Sequence, residues 1–225
     1  MPYRKTVFAP GEIYHLVNHG VGDQMIFKNN RDYSTFIDRI NFYRFLPEIR
    51  FSHFLRFSLK EKEAFLNNCQ KSKKPLIKVL IFGLLPNHFH LMVEEVQEKG
   101  VQTFMGNFQN SYARYFNIKN KRRGPLFQST FVAVHIADDE QLMYVSGYIH
   151  ANIYAAFLVK KSQLWNYPWS SLSNYLDLEP KYNFLNKKIV LSLFGNSRIK
   201  YRNYINQQAE FHKERAVFKK SEETL

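Results

Sequence analysis

The 225 residues carry 32 Lys and Arg against 19 Asp and Glu, a formal net charge of +13, and 45% of them are hydrophobic, including 21 Phe and 14 Tyr. That apolar content supports a sizeable core, so disorder is not expected, and the length suits one good-sized domain with an extension. The cation excess favours a polyanionic partner, nucleic acid first, and the single cysteine, Cys69, excludes an internal disulfide framework and a multi-cysteine zinc site.

The opening stretch, MPYRKTVFAPGEIYHLV, holds neither a long apolar run nor a cleavage pattern. No later run reaches roughly 18 uncharged apolar residues, so a cytoplasmic protein without membrane contact is expected. Residues 12–20, EIYHLVNHG, are rich in β-favouring types and end in glycine, which predicts a strand. In the next stretch Tyr33, Phe36, Ile37, Ile40 and Tyr43 recur at helical spacing behind Asn and Asp capping residues, predicting a helix with one apolar face. Residues 47–75 are polar, and SLKEKEAFLNNCQKSKK reads as a short charged helix or an insertion. IKVLIFGLL and HFHLMVEEV are strand-like runs joined at Leu85-Pro86-Asn87, residues suited to a tight reversal and hence to an antiparallel hairpin.

Residues 101–118 read as a second amphipathic helix, KNKRRG (119–124) as a basic loop, and FVAVHI (131–136) as a fourth strand. DDEQLMYVSGYIHANIYAAFLV opens with acidic residues where the helix dipole favours them. It continues as a long helix whose Ser146, Gly147, Ala151 and Ala155 permit close packing. The first six elements run βαββαβ, the order of a ferredoxin-like α+β fold with an antiparallel sheet, and the seventh is the helix after the fourth strand. Beyond WNYPWSSLSNYL the chain turns polar and basic, so residues 1–177 are expected to form the main domain and 178–225 a mainly helical extension.

Alternation along the second strand of the hairpin sends Phe89, Leu91 and Val93 to one face and His88, His90 and Met92 to the other. Two imidazoles on one face make a chelating pair, or simply two hydrogen-bonded strand histidines. Tyr148 and Asn152 stand one turn apart on one face of the later helix. The amide oxygen of Asn152 would complete a mixed N/O donor set suited to Mg²⁺ or Mn²⁺. A tyrosine beside a metal-bound phosphate can serve as a nucleophile that forms a covalent intermediate.

GEIYHLVNHGVGDQMIF, LLPNHFHLMVE, YARYFNIKNKRRGPLFQSTF, YIHANIYAAFLV and YPWSSLSNY, in order from about residue 8 to about 175, resemble the single-tyrosine HUH transposases. Within that group they look most like the REP-associated tyrosine transposases. The resemblance implies an RRM-like sheet, His88, His90 and Asn152 as metal ligands and Tyr148 as nucleophile. It further implies a metal-dependent single-stranded DNA endonuclease and strand transferase that works at DNA hairpins through a 5′-phosphotyrosine. Relatives act as monomers or homodimers. A departure is Ile153, where members usually carry proline, and a catalytically inactive hairpin DNA- or RNA-binding regulator is the alternative reading. Lys119, Lys121, Arg122 and Arg123 of the basic loop, with Phe127 and Gln128 after it, are the candidate DNA contacts: cations for phosphates and an aromatic ring for unpaired bases. Trp165 and Trp169 either stack on bases or pack the extension onto the sheet. His15 and His19 are expected to be structural or DNA-facing, His150 a packing or cap contact, and Tyr144 the chief rival nucleophile.

Overall fold

The structure, a computed structural model, describes residues 6–72, 74–128, 130–179 and 181–222, with side chains to Phe218. Strand β1 (Ile13–His19) is followed by α1 (Asn30–Tyr43), α2 (Phe51–Phe54) and α3 (Leu59–Ser72). The hairpin β2 (Ile77–Leu85) and β3 (His88–Glu95) comes next, then α4 (Gly100–Lys119), β4 (Val132–Ile136) and α5 (Asp139–Ala155). Short helices α6 (Lys161–Leu164), α7 (Leu172–Tyr175) and α8 (Lys188–Ser192) lead to the long α9 (Arg198–Glu222). The sheet order is β2-β3-β1-β4 with every neighbour antiparallel, as the βαββαβ reading requires.

Local chemistry explains the boundaries. The Asn29 side chain accepts from Asp32 N at the start of α1, and the Asp138 side chain accepts from Gln141 N at the start of α5. In β2 almost every residue is buried because both sheet faces are covered. Tyr14, Leu16, Phe82, Phe89 and Leu91 pack on one face against Phe36 and Ile40 of α1 and Phe104, Phe108 and Tyr112 of α4. On the other face Ile81, Leu85 and Met92 meet Ile149 and Ile153 of α5, with Tyr175, Val190, Tyr201 and Ile205 behind them.

The polar stretch 47–75 resolves into α2 and α3, which clasp Phe42 through Phe51, Phe54 and Phe65 and so append a small aromatic cluster to the end of α1. The segment after residue 177 shares the second core, and within it residues 180 and 223–225 lie outside the described residues. The YPWSS stretch straps the outer edge of β2: Leu84 N donates to Trp169 O and Ser171 N to Phe82 O, both at 3.0 Å. The Trp169 ring stacks on Tyr33 at 4.9 Å, a packing role. Among the described residues no helix is long and apolar enough to cross a membrane.

Gly83 decides where α5 sits. A Cβ there would lie 3.1 Å from Ile149 O, so the helix backbone rests directly on β2. It covers the β2–β3 half of its face and leaves the β1–β4 half open, where Val132 and Val134 are 56% and 43% exposed.

Candidate active site

The register places four imidazoles on the face that α5 partly covers. His19 pairs with His88 across β1 and β3, and their rings stack at 4.4 Å. One rung along, Val17 faces His90 and His15 faces Met92. His15 and His90 are therefore diagonal neighbours, within reach for aromatic side chains. His15 Nε2 lies 2.9 Å from His90 Nδ1 in a buried hydrogen bond. His88 Nδ1 donates to Asn87 Oδ1 at 2.7 Å, and the His88 and His90 rings meet edge to face at 5.0 Å.

Helix α5 brings the other two predicted residues to the same place. The Asn152 amide lies 3.0 Å from His90 Nε2, and the Tyr148 ring stands perpendicular to His90 at 5.5 Å. His15 lies edge-on to Tyr148 at 6.1 Å, and His212 of α9 at 5.3 Å. Three imidazoles from three elements thus box one phenol ring. Tyr144, one turn earlier, is 42% exposed and also touches His212. His150 points away, bonded to Tyr201 Oη at 2.8 Å and Ser171 Oγ at 2.7 Å, the packing contact expected of it. Ile153 is fully buried, and α5 stays regular to Ala155, with Ala156 N donating to Asn152 O at 2.8 Å.

Electrostatics disfavour the charged forms of His15, His88 and His90. Burial pushes His15 and His88 down to about 4, with the His19 ring adding to the effect at His88. Burial, then the neighbouring His15, His88 and His19, holds His90 well below the usual imidazole range. Unprotonated imidazoles offer lone pairs, the state that metal ligation needs. Burial, then Tyr144, raises the Tyr148 phenol, so it carries its proton at neutral pH.

Among the described residues no three His, Cys, Asp or Glu side chains form a metal-binding group. His88, His90 and Asn152 are the residues present that would hold a divalent ion, through two imidazole nitrogens and one amide oxygen. Asn152 Nδ2 lies within hydrogen-bond distance of His90 Nε2, at 3.0 Å, so the amide would have to turn its oxygen toward a metal to join the two imidazoles.

Residues 47–152, the stretch holding His88, His90, Tyr148 and Asn152, match the family model described as Transposase IS200 like. The match spans a little under half of the chain and makes this segment similar to the IS200-like transposases. A solved structure of a REP-associated tyrosine transposase bound to a REP hairpin aligns at a TM-score of 0.45 with 12% identity, over 82% of this chain and 90% of that one. No curated protein matches the chain.

The basic loop divides into two pairs. Lys119 forms an ion pair with the buried Asp32, which also accepts from Tyr115 Oη at 2.8 Å. Arg122 donates to Asn117 Oδ1 and to Pro125 O, both at 3.0 Å. These two cations hold α4 and its following loop in place. Lys121 and Arg123 are exposed and, with Arg114, line a shallow surface cavity of about 560 Å³. The structure corrects the reading of Phe127 as a base-stacking platform: it is 8% exposed and packs edge-on against Phe89, because an apolar ring beside the sheet buries. Gln128 remains exposed, and its backbone N donates to His19 O at 2.9 Å, beside the imidazole cluster.

A double comparison separates these roles. Lys119→Ala is expected to cost about 1–3 kcal/mol of stability by stranding a buried carboxylate, with little change in the salt dependence of DNA binding. Lys121→Ala and Arg123→Ala should leave urea midpoints unchanged while each lowers the log–log salt slope by about 1. A salt slope that drops for Lys119→Ala and not for the other two would reverse the assignment.

Proposed function

We propose that the chain is a metal-dependent single-stranded DNA endonuclease and strand transferase that acts at or beside DNA hairpins through a 5′-phosphotyrosine on Tyr148. The observation that carries this reading is the convergence at His90: Tyr148 edge-on at 5.5 Å and, from the same helix, Asn152 at 3.0 Å. The match of residues 47–152 to the model described as Transposase IS200 like supports it, and the hairpin preference rests on the motif resemblance.

In the reaction, Tyr148 Oη bonds to the phosphorus of a DNA phosphodiester and the bond from phosphorus to the 3′ oxygen breaks. The phenol proton ends on that oxygen, so the products are a 5′-phosphotyrosyl strand and a free 3′-OH. Attack by a 3′-OH reverses the step and rejoins strands, without water or a nucleotide cofactor. His88, His90 and Asn152 would hold Mg²⁺ or Mn²⁺, which when bound polarises a phosphoryl oxygen and offsets the charge developing there. The protein's own part is orientation: boxing the phenol against rigid imidazoles fixes the line of attack in advance. Lys121, Arg123 and Arg114 bind backbone phosphates, and the open floor of Val17, Val132 and Val134 leaves room for the strand beside the histidines. One chain holds the nucleophile and the full donor set, so a monomer suffices for a single cleavage.

The test uses single-stranded oligonucleotides carrying an imperfect hairpin, incubated with Mg²⁺ or Mn²⁺ and run on a denaturing gel. A metal-dependent covalent protein–DNA band is expected, lost with EDTA and in His88→Ala. Tight hairpin binding with no adduct under either metal would sink the nuclease reading and favour a binding regulator.

A further inference from the structure

We infer that His15, from the first strand, is the positioning residue that sets the tautomer of His90 and so aims its Nε2 lone pair into the site. The inference rests on the proposed ligand role of His90. His15 Nε2 and His90 Nδ1 are 2.9 Å apart and both rings are buried, nearly parallel at an interplanar angle of 19°. One of the two nitrogens must carry the proton and the other must accept it.

The other side of His90 decides which. Its Nε2 faces the Asn152 amide nitrogen at 3.0 Å, which can only donate, so Nε2 holds a lone pair and Nδ1 the proton. His90 Nδ1–H therefore donates to His15 Nε2. The partner histidine shows the same arrangement by other means. His88 donates its Nδ1–H to Asn87 Oδ1 at 2.7 Å, which leaves its own Nε2 lone pair free. Each candidate ligand thus has its far nitrogen tied down by a dedicated acceptor: Asn87 from the hairpin turn for His88, and His15 across the sheet for His90. Such outer partners orient a ligating imidazole and raise its basicity, and their loss typically lowers metal affinity about 10–100-fold. His15 lies before the segment matched by the family model, so this support comes from outside it.

The experiment records the tautomer of His90 by long-range ¹H–¹⁵N correlation in the metal-free full chain, and Mn²⁺ affinity by calorimetry. Wild type, His15→Phe, His15→Gln and His90→Ala are compared. His90 is expected as the Nδ1–H tautomer in wild type and as a tautomer mixture in His15→Phe, which keeps the ring volume and removes the acceptor. Mn²⁺ affinity should fall about 10–100-fold in His15→Phe, with the thermal midpoint little changed, and recover to within about threefold in His15→Gln, whose side-chain oxygen can accept. An Nε2–H tautomer in wild type, or unaltered Mn²⁺ affinity in His15→Phe, would overturn the inference. Undiminished affinity in His90→Ala would instead overturn the ligand assignment, while the metal-free spectrum still scores His15.

Discussion

Replacing Tyr148 by phenylalanine is expected to abolish the covalent protein–DNA band, a loss of about a thousandfold or more in strand cleavage, while hairpin affinity and thermal midpoint barely move. The reasoning is geometric. The Tyr148 ring is half-buried among His15, His90 and His212, and phenylalanine retains every one of those edge-on contacts. Only the oxygen goes, and with it the atom proposed to form the bond to phosphorus. Tyr144→Phe is the informative partner. Tyr144 is 42% exposed and lies two helical turns from Asn152, so its loss should leave the band intact. A band that survives Tyr148→Phe and disappears in Tyr144→Phe would transfer the nucleophile to Tyr144.

Gly147→Ala is expected to destabilise the protein by about 1–3 kcal/mol, whereas Gly106→Ala should stabilise it by about 0.5–1 kcal/mol. Both glycines are helical, so the contrast isolates packing. A Cβ on Gly147 would lie 2.7 Å from Gln208 Cγ and 2.8 Å from Tyr204 Cε1, both on α9, and neither is the free end of a side chain. A Cβ on Gly106 meets nothing within 4 Å. Relieving the overlap at Gly147 lifts α9 away from α5 and takes His212 off the Tyr148 ring, so cleavage should slow with hairpin binding preserved. Urea denaturation and the denaturing-gel assay together check this. Equal stability for Gly147→Ala and wild type would mean that α9 does not seat against α5 as described.

What could be read from the chain was what depends on local periodicity. Alternation in β3 put His88 and His90 on one face, and the helical spacing put Tyr148 and Asn152 on another, with no knowledge of how the two elements meet. Motif resemblance supplied their joint role. Residues whose importance comes from long-range register were not legible in that way. His15 matters because it lies one rung from His90 across β1 and β3, and no pattern within β1 announces that. His212 sits in a polar helix with nothing to mark it except its place against Tyr144 and Tyr148. Burial was equally hidden: the run KNKRRG looks uniformly solvated, yet Lys119 answers to Asp32, a partner in α1. Phe127 follows a loop and would seem available for stacking, but the sheet it borders absorbs it.

The pairing of β1 has a consequence for the order in which the protein comes together. The hairpin β2–β3 closes across Pro86 and Asn87 alone, a local event on the microsecond scale. Strand β1 must find Glu94 and Ile136 for its own Ile13, contacts whose loop-closure entropy is spent before any reward. His88 and His90 are therefore expected to come side by side early in refolding, with His15, Tyr148 and α9 arriving later. Pulse-labelling of amides during refolding is expected to show protection in β2 and β3 before β1 and α9, and the reverse order would contradict this. A newly made chain is then expected to hold its pair of imidazoles before Tyr148 and His15 close around them, so the site proposed for cleavage is completed only when folding is.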